Sequence, residues 1–351
     1  MFDPAKWAVV GHKDDSGFGR QMADVQSVLG IGYYLAIPSE RLTDHPLKGD
    51  FERLLAPNFS DDDVKLAMSG LQGIIFPERH SWHPRILKVA KELGLKTVCI
   101  PNWEWFRGTD AEWKLCDLFV CQSKFTESVV SSYGWRNLVQ IPVAIDIKRF
   151  PARKIAGKAR LFVHNAGIVD PQDRKGTRDT ILAFRKVKRD DIKLVVRMQK
   201  ETSLPRLDSR IEIQVGNLED PAQLYSTGDV AVQPSKMEGN GFMVLEPLVT
   251  GMPVITTDYP PMNEYVLTKE LLVHKQWFKR RAFSTSWVKH AHLRLPDLND
   301  LASKIAWCAD NELSAISEFN RKNSEAVFAP ESLRDKWYRA LEGLMDGSAQ
   351  H

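Results

Sequence analysis

Short apolar strands alternate with helix-length amphipathic segments along the 351 residues, a pattern that predicts an α/β protein. The strand segments are almost wholly apolar, which is typical of parallel sheets covered by helices on both faces. The series occurs twice, so we expect two Rossmann-like, doubly wound domains that face a central cleft. Domains of this kind bind ligands in the crevice at the carboxyl ends of their strands.

The first series fills the amino-terminal part of the chain. The predicted strands are residues 6–11, 73–76, 96–100, 118–121 and 138–141. The predicted helices are residues 20–29, 84–93 and 123–133, the last with Ser123 as its N-cap. We expect the hinge between this domain and the next within residues 142–158.

The second series begins after that polar stretch. The predicted strands are residues 160–164, 193–197, 211–215, 229–233 and 253–257. The predicted helices are residues 177–188, 244–250, 298–311 and 330–345.

Composition excludes several classes of protein. Lys and Arg number 48 against 45 Asp and Glu, so the net charge is only +3. No apolar stretch is long enough for a membrane span, and no secretory signal is visible at the amino terminus. The four Cys have no CxxC spacing, which argues against a disulfide framework or thiolate zinc site. We therefore expect a soluble, cytoplasmic protein.

The most informative segment is residues 229–258, DVAVQPSKMEGNGFMVLEPLVTGMPVITTD. A strand leads through a glycine-containing turn into a helix, whose free backbone N–H groups suit a diphosphate. Glu238 and Glu246 flank this turn with seven residues between them. One carboxylate can accept sugar hydroxyls and the other a ribose diol. Alternatively, each glutamate is only a favourable partner of the helix dipole.

This Glu-x7-Glu segment and the Gly-x-Pro-Val-Ile strand after it resemble the donor site of GT-B glycosyltransferases of the family-4 type. The resemblance extends over nearly the whole chain. The other blocks that carry it are Asp14-Asp-Ser-Gly-Phe-Gly-Arg20, residues 116–150, Arg174-Lys-Gly-Thr177, Val215-Gly-Asn-Leu218 with Leu224-Tyr225, and residues 298–345.

The resemblance implies a retaining glycosyltransferase that uses a nucleotide sugar, most simply a UDP-sugar, without a cofactor or catalytic metal. It implies an acceptor-side domain at 1–150, a donor domain at 158–330, and a closing helix at 331–351 packed on the first domain. The donor-site residues that it implies are Glu238 for the sugar, Glu246 for the ribose, the backbone of Asn240, Gly241 and Phe242 for the diphosphate, Lys175 for the phosphate, and Gly17 and Gly19 in the loop of the first domain.

The sequence departs from the family pattern at one position. The family usually has an Arg at the end of the strand before the Lys-Gly turn, where this chain has His164 and Asn165. Arg174 and Arg197 are the candidates to supply the second phosphate-binding cation, and the alternative is that both are surface charges.

Several residues are candidates for the acceptor side. His80 and His83 follow a predicted strand in the sequence RHSWHP, and the family often has a His in this region, so we include His83 among the catalytic candidates. Trp103, Glu104 and Trp105 follow the strand that ends at residue 100. The alternatives are surface histidines and tryptophans that pack under their loop.

Residues 271–296 contain six Lys and Arg and no acid, with aromatic residues interleaved. We take Arg280 and Arg281 as candidate acceptor contacts. This composition suits a phosphate-rich polymer or an anionic membrane surface. Three hypotheses follow: transfer to a glycan, lipid-linked or small-molecule hydroxyl; transfer to a hydroxymethylated base in DNA; or nucleotide-sugar binding without turnover. Peripheral membrane contact is compatible with the first.

Overall fold

The computed structural model describes residues 1–12, 17–37, 52–55, 58–78, 84–218, 220–283 and 291–347, with the backbone alone for 18, 52, 54, 78, 221 and 277–283. The chain divides into two compact units. Unit 1 contains Met1–Asp146 and Val327–His351, and unit 2 contains Ile147–Ala326. The sequence predicts domain limits at residues 150, 158 and 330, close to these divisions.

Unit 1 is built on one parallel sheet. Its elements are β1 (Trp7–His12), α1 (Gly17–Leu29), β2 (Tyr33–Ile37), β3 (Glu52–Leu54), α2 (Asp61–Ala67), β4 (Gly73–Glu78), α3 (Pro84–Glu92), β5 (Lys96–Pro101), β6 (Leu118–Cys121), α4 (Lys124–Ser132) and β7 (Leu138–Gln140). The strand order is β3-β2-β1-β4-β5-β6-β7. Every residue of β1 and β6 is buried, which explains why both strands have no polar alternation in the sequence.

Unit 2 contains the second sheet. Its elements are β8 (Leu161–Gly167), α5 (Thr177–Lys186), β9 (Lys193–Met198), β10 (Ile211–Val215), β11 (Val230–Gln233), α6 (Phe242–Thr250), β12 (Val254–Thr257), α7 (Met262–Tyr265), β13 (Leu272–Val273), β14 (Lys275–Phe283), β15 (Ala291–Pro296), α8 (Leu298–Asp310) and α9 (Ser314–Phe328). The parallel strands follow the order β10-β9-β8-β11-β12-β13.

The last helix, α10 (Pro330–Asp346), belongs to unit 1. The Arg334 guanidinium donates to the carbonyl of Val28 at 3.0 Å, and the Tyr338 hydroxyl donates to that of Leu29 at 2.8 Å. These bonds satisfy carbonyls at the end of α1 that have no partner within their own helix. The chain therefore returns to its first unit after completing the second.

The helix cap predicted from the sequence is present. The Ser123 hydroxyl accepts the N–H of Thr126 at 3.0 Å, so the predicted N-cap of α4 is confirmed. Ser60 and Asp63 also form a reciprocal capping box at the start of α2, and Asp61 and Asp62 add negative charge to the same first turn. Among the described residues, none of the helices combines the length and apolar character that a membrane span needs.

The structure adds elements that sequence patterns do not predict. β2 and β3 extend the first sheet beyond β1, and β14 pairs antiparallel with β15 in a separate two-stranded sheet. In the sequence this last segment is dominated by its basic residues, and its conformation comes from pairing between two neighbouring stretches of chain.

In unit 2 the strand order reverses between β8 and β11. β9 and β10 follow β8 on one side, and β11 returns to pair with β8 on the other, with Val230 opposite Phe162 and Ala231 opposite Val163. The connections after β8 and β11 therefore leave the carboxyl edge of the sheet side by side and lead to different helices. This switch point is where doubly wound sheets bind ligands.

Candidate active site at the switch point of unit 2

Two loops form the candidate site, residues 168–176 after β8 and residues 234–241 after β11. Each ends in a glycine that caps a helix, Gly176 for α5 with φ 74° and Gly241 for α6 with φ 71°. A Cβ added to Gly176 would lie 2.5 Å from the carbonyl oxygen of Pro234, so the two loops touch at this point. Two helix starts with unsatisfied N–H groups thus lie at the same edge of the sheet.

Glu238 joins these loops through two cations. Lys175 Nζ lies 2.6 Å and 2.8 Å from the two carboxylate oxygens of Glu238, and Arg174 Nη1 lies 3.0 Å from Oε2. Glu238 is buried, with 4% of its surface exposed. We call Arg174, Lys175 and Glu238 the Glu238 cluster. It provides two cations for one carboxylate, at the place where ligands bind in this fold.

Charge in the Glu238 cluster is controlled by burial and by the neighbouring ions. Burial alone raises the pKa of Glu238, but the Lys175 and Arg174 charges outweigh burial and hold the pKa at about 2. Burial and the Arg174 charge lower the pKa of Lys175, against the opposing effect of Glu238. The carboxylate is therefore ionised at neutral pH.

A second group of ions holds the same loops together. Lys236 Nζ lies 3.0 Å from Asp173 Oδ2 and 2.8 Å from Asp179 Oδ2, with 5% of Lys236 exposed. Asp173 also accepts the N–H groups of Thr177 and Arg178 at the start of α5. We call Asp173, Asp179 and Lys236 the Lys236 cluster. Sequence reasoning missed it, because one lysine two positions before Glu238 has no distinctive spacing.

Glu246 lies on α6 and is also buried, with 6% exposed. The hydroxyl of Tyr225, at the end of the short 3-10 helix Pro221–Tyr225, donates to its Oε2 at 2.8 Å. Its charge is near enough to raise the pKa of Lys175. Glu238 and Glu246 therefore lie in one electrostatic environment and have polar partners, as the hypothesis of a shared ligand requires.

The remaining donor-binding candidates in unit 2 lie at the helix start. Asn240 is buried, Gly241 is the α6 cap, and Phe242 is the first residue of α6. The structure therefore brings Arg174, Lys175 and Glu238 into contact, and it places the predicted diphosphate-binding backbone on the same loop as Glu238.

The two candidate replacement cations differ in position. Arg197 donates to the carbonyl of Leu224 at 2.6 Å and to Thr227 Oγ1 at 2.7 Å, which ties β9 to the loop before β11. Arg174 belongs to the Glu238 cluster. Arg174 therefore lies beside Lys175 and Glu238, whereas Arg197 does not.

The residues at the end of β8 are buried and have different surroundings. His164 Nδ1 lies 2.6 Å from the Val232 carbonyl and Nε2 lies 2.9 Å from Thr177 Oγ1, and burial lowers its pKa to about 4. His164 is therefore neutral at physiological pH and joins β8 to β11 and α5. Asn165 is 1% exposed, and its amide has no hydrogen-bond partner among the described residues.

Candidates in unit 1 lie at the same kind of edge in the first sheet. Gly17 and Gly19 are in the first turn of α1. Trp103, Glu104 and Trp105 are half-buried in the loop after β5, and the Trp103 ring meets Phe125 edge-on at 5.0 Å. This contact is the packing that we considered as the alternative for Trp103. Their roles toward a donor or acceptor stay predictions.

Other predicted residues cannot be placed. His80 and His83 lie outside the described residues. Arg280 and Arg281 pair through their backbones with Arg294 and Leu293 on β15, and their side chains lie outside the description. Within the described ranges, no group of three or more His, Cys, Asp or Glu residues is arranged to hold a metal ion.

A comparison with known protein families matches the region that contains the candidate site. Residues 160–282 match the family model described as "Glycosyl transferases group 1". This stretch includes both loops, the Glu238 cluster and Glu246. No match to a curated protein sequence is found.

Solved structures share the fold over almost the whole chain. HepE from Anabaena, solved in complex with UDP and glucose, has a TM-score of 0.71 at 12% identity, covering 96% of this chain and 99% of its own. Sucrose-phosphate synthase from Thermosynechococcus elongatus has 0.65 at 14%, covering 97% and 99%. A UDP-forming α,α-trehalose-phosphate synthase from Burkholderia xenovorans, in complex with glucose-6-phosphate, has 0.62 at 11%, covering 96% and 100%.

The predicted fold class is thereby confirmed: this is an α/β protein of the GT-B type with two Rossmann-like domains. The match at 160–282 lies within the unit that contains the candidate site. Residues 160–282 are therefore a glycosyltransferase group 1 domain within a chain of GT-B fold.

Proposed function

We propose that this enzyme is a retaining glycosyltransferase of the family-4 type that takes its sugar from a nucleoside diphosphate donor, most simply UDP. The observation that carries the proposal is the convergence of Arg174 and Lys175 on Glu238 between two glycine-capped helix starts. Cations and free N–H groups suit a diphosphate, and an ionised carboxylate suits sugar hydroxyls.

Donor binding would redistribute the bonds of the Glu238 cluster. The diphosphate oxygens bind Lys175 and Arg174, and the backbone N–H groups of residues 240–242 contact the same phosphates. Glu238 then has an oxygen available for a hydroxyl of the donor sugar. Glu246, about one turn into α6 by sequence spacing, binds the ribose, and its bond from Tyr225 orients the carboxylate.

The proposed chemistry needs no protein nucleophile. The bond between the sugar C1 and the diphosphate oxygen breaks, and the acceptor oxygen forms a new bond to C1 on the same face. The acceptor proton passes to the departing phosphate oxygen. Lys175 and Arg174 offset the negative charge that grows on the diphosphate as the bond breaks. Because these side chains supply the positive charge, we propose that no catalytic metal or cofactor is required.

The acceptor is proposed to be a hydroxyl of a glycan, a lipid-linked sugar or a small molecule. The trehalose-phosphate synthase with the same fold was solved with glucose-6-phosphate, which supports a sugar acceptor here. Transfer to a modified base in DNA is the second candidate, because residues 271–296 contain six cationic side chains and no acid. We propose the cytoplasm as the compartment, in keeping with four buried cysteines that form no disulfide among the described residues.

The donor site is tested by turnover. A thermal-shift screen of nucleotide sugars names the donor, since a tight ligand stabilises the native state. With that donor, Glu238→Ala is expected to lower hydrolysis or transfer by at least about 100-fold. Glu212→Ala, at an exposed position on β10, is the matched control and should retain wild-type turnover. Equal turnover in Glu238→Ala and wild type would refute the assignment of Glu238.

The acceptor class is tested by binding. If DNA is the acceptor, the protein is retained on DNA in a salt-sensitive manner, and neutralising Arg280 and Arg281 weakens the retention. Binding to anionic vesicles without retention on DNA would favour a lipid-linked acceptor at a membrane surface. If the protein binds the donor but neither hydrolyses it nor transfers its sugar to any acceptor, the result would favour the hypothesis of nucleotide-sugar binding without turnover.

A further inference from the structure

The short helix α7 places an aromatic residue beside the proposed diphosphate loop. A Cβ added to Gly241 would lie 3.4 Å from Cε2 and 3.8 Å from Cδ2 of the Tyr265 ring. The same point lies 3.9 Å from Cβ of Glu238. The ring, the α6 cap and the side chain that is proposed to bind the donor sugar therefore meet in one small volume.

The hydroxyl of Tyr265 is the feature that needs an explanation. Its oxygen is buried, and it has no hydrogen-bond partner among the residues that the structure describes. Buried hydroxyl groups in folded proteins almost always have such a partner. Burial, together with the Glu264 and Glu238 charges, also raises the pKa of this phenol, so it stays protonated and remains a donor. A phenol in this state is suited to an oxygen brought by a ligand.

We propose that the Tyr265 hydroxyl is a further donor-binding group, which donates a hydrogen bond to a hydroxyl oxygen of the transferred sugar. This inference rests on the proposed function and assigns Tyr265 to the sugar, not to the diphosphate. The nearby charges support that choice: Glu238 and Glu264 are both close enough to act on the phenol, and they disfavour an anion there.

The chemistry of Tyr265 and Glu238 is complementary. A sugar hydroxyl can donate its proton to one acceptor and accept a bond from one donor. The ionised Glu238 carboxylate accepts only, whereas the protonated Tyr265 phenol donates. A single hydroxyl group of the sugar can therefore satisfy both, while Lys175 and Arg174 hold the phosphates. Selectivity among donor sugars then depends on whether a hydroxyl is present at that position.

Tyr265→Phe tests the inference, because it removes the hydroxyl and keeps the ring beside Gly241. UDP-, GDP- and ADP-glucose and the corresponding free diphosphates are titrated calorimetrically, and the pair that wild type binds is used for the variant. Tyr265→Phe is expected to weaken binding of the nucleotide sugar about 3- to 10-fold and to leave binding of the free diphosphate unchanged. Tyr133→Phe, on a half-exposed ring of unit 1, is the matched control.

Each other outcome overturns the inference. Unchanged sugar-nucleotide binding means that the hydroxyl has no ligand contact. An equal loss for the diphosphate and the nucleotide sugar means that Tyr265 supports the loop or the phosphates instead. If wild type binds no nucleotide sugar, the proposed function fails first, and that failure is seen before any variant is measured. Unfolding temperatures of wild type and Tyr265→Phe show whether a lost fold explains the change.

Discussion

The Glu238 cluster and the Lys236 cluster are made by the same two loops, yet their charges are reversed. In the first, two cations share one carboxylate; in the second, one cation lies between two carboxylates. The Lys236 cluster is the more closed of the two: the Lys236 side chain is 6% exposed, against 15% for Lys175 and 27% for Arg174.

This difference indicates that one cluster has a structural role and the other a role in ligand binding. The excess carboxylate of the Lys236 cluster has backbone donors, since Asp173 accepts N–H groups at the start of α5. The Glu238 cluster carries one net positive charge: Arg174 donates to Glu238 and to the carbonyl of Met237, and the cluster lies beside two helix starts that favour an anion. We infer that the Lys236 cluster fixes the loops together, and that the Glu238 cluster is left with binding capacity for a ligand.

The largest expected effect comes from Lys236→Met. The substitution leaves buried Asp173 and half-buried Asp179 without their cation, which is expected to destabilise the protein by about 3–5 kcal/mol, measured by urea unfolding. Lys193→Met, on an exposed lysine of β9, is the control and should change stability little. Adding Asp179→Asn to Lys236→Met should recover part of the loss. A variant as stable as wild type would show that the cluster does not hold the loops.

The next largest effect is expected from acid titration, which tests whether Glu238 is held ionised by its cations. The pKa of Glu238 is lowered to about 2 in the folded state, so its contribution to stability is complete above the ordinary value near 4.5 and is lost as pH falls toward 2. The stability difference between wild type and Glu238→Gln is therefore expected to be about 2 kcal/mol at pH 6 and to shrink from pH 4.5 downward. Urea unfolding at several pH values measures it. A constant difference would mean that Glu238 is not held ionised by its cations.

The two glycine caps give a smaller pair of effects. Gly176→Ala adds a methyl group 2.5 Å from the Pro234 carbonyl at a left-handed φ, so we expect a loss of about 2 kcal/mol or more. Gly241→Ala has the same backbone strain, but the nearest atom to its methyl group is in the Tyr265 ring at 3.4 Å, so about 1 kcal/mol is expected. Thermal unfolding of the two variants measures both losses of stability and gives their order. The reverse order would show that the loops do not touch at Gly176.

The smallest expected effect is that of a chelator. If Lys175 and Arg174 supply the positive charge for the departing diphosphate, turnover of the purified enzyme should be unchanged in EDTA. Activity with the identified donor is measured before and after dialysis, and again after Mg²⁺ or Mn²⁺ is added. Loss of activity in EDTA with recovery on either metal would contradict a metal-independent mechanism.

The strands and helices of the two sheets were largely predictable because burial shows in local sequence. β6 has the predicted limits, since its four residues are all apolar and all buried. α6 begins two residues earlier than predicted, because Gly241 adopts a left-handed conformation and caps it. Neither β2 nor β3 was predicted. β3 has only three residues, two of them charged, so it shows no periodic pattern. β2 has an apolar run similar to those of its neighbours and was recognisable from the sequence.

Prediction of the site was more uneven. Glu238, Lys175 and Glu246 were identified by motif and resemblance, and the structure places them in one electrostatic environment. Lys236 and Tyr265 were not identified, because their significance comes from partners or from buried surroundings rather than from spacing. The sequence shows that His164 and Asn165 stand at the strand end where the family usually has an Arg. Only the contacts in the structure distinguish the two candidate cations, since Arg174 contacts Glu238 and Arg197 contacts Leu224.

The sequence by itself determined the alternation of strands and helices, the glycine-capped helix starts and the residue types available at the sheet edge. All of these depend on short-range patterns of hydrophobicity and backbone preference. Only the tertiary structure decided which charges meet, since Lys175 and Glu238 are 63 residues apart. They become neighbours because β11 pairs with β8 and not with β10, and this choice depends on the packing of the whole sheet.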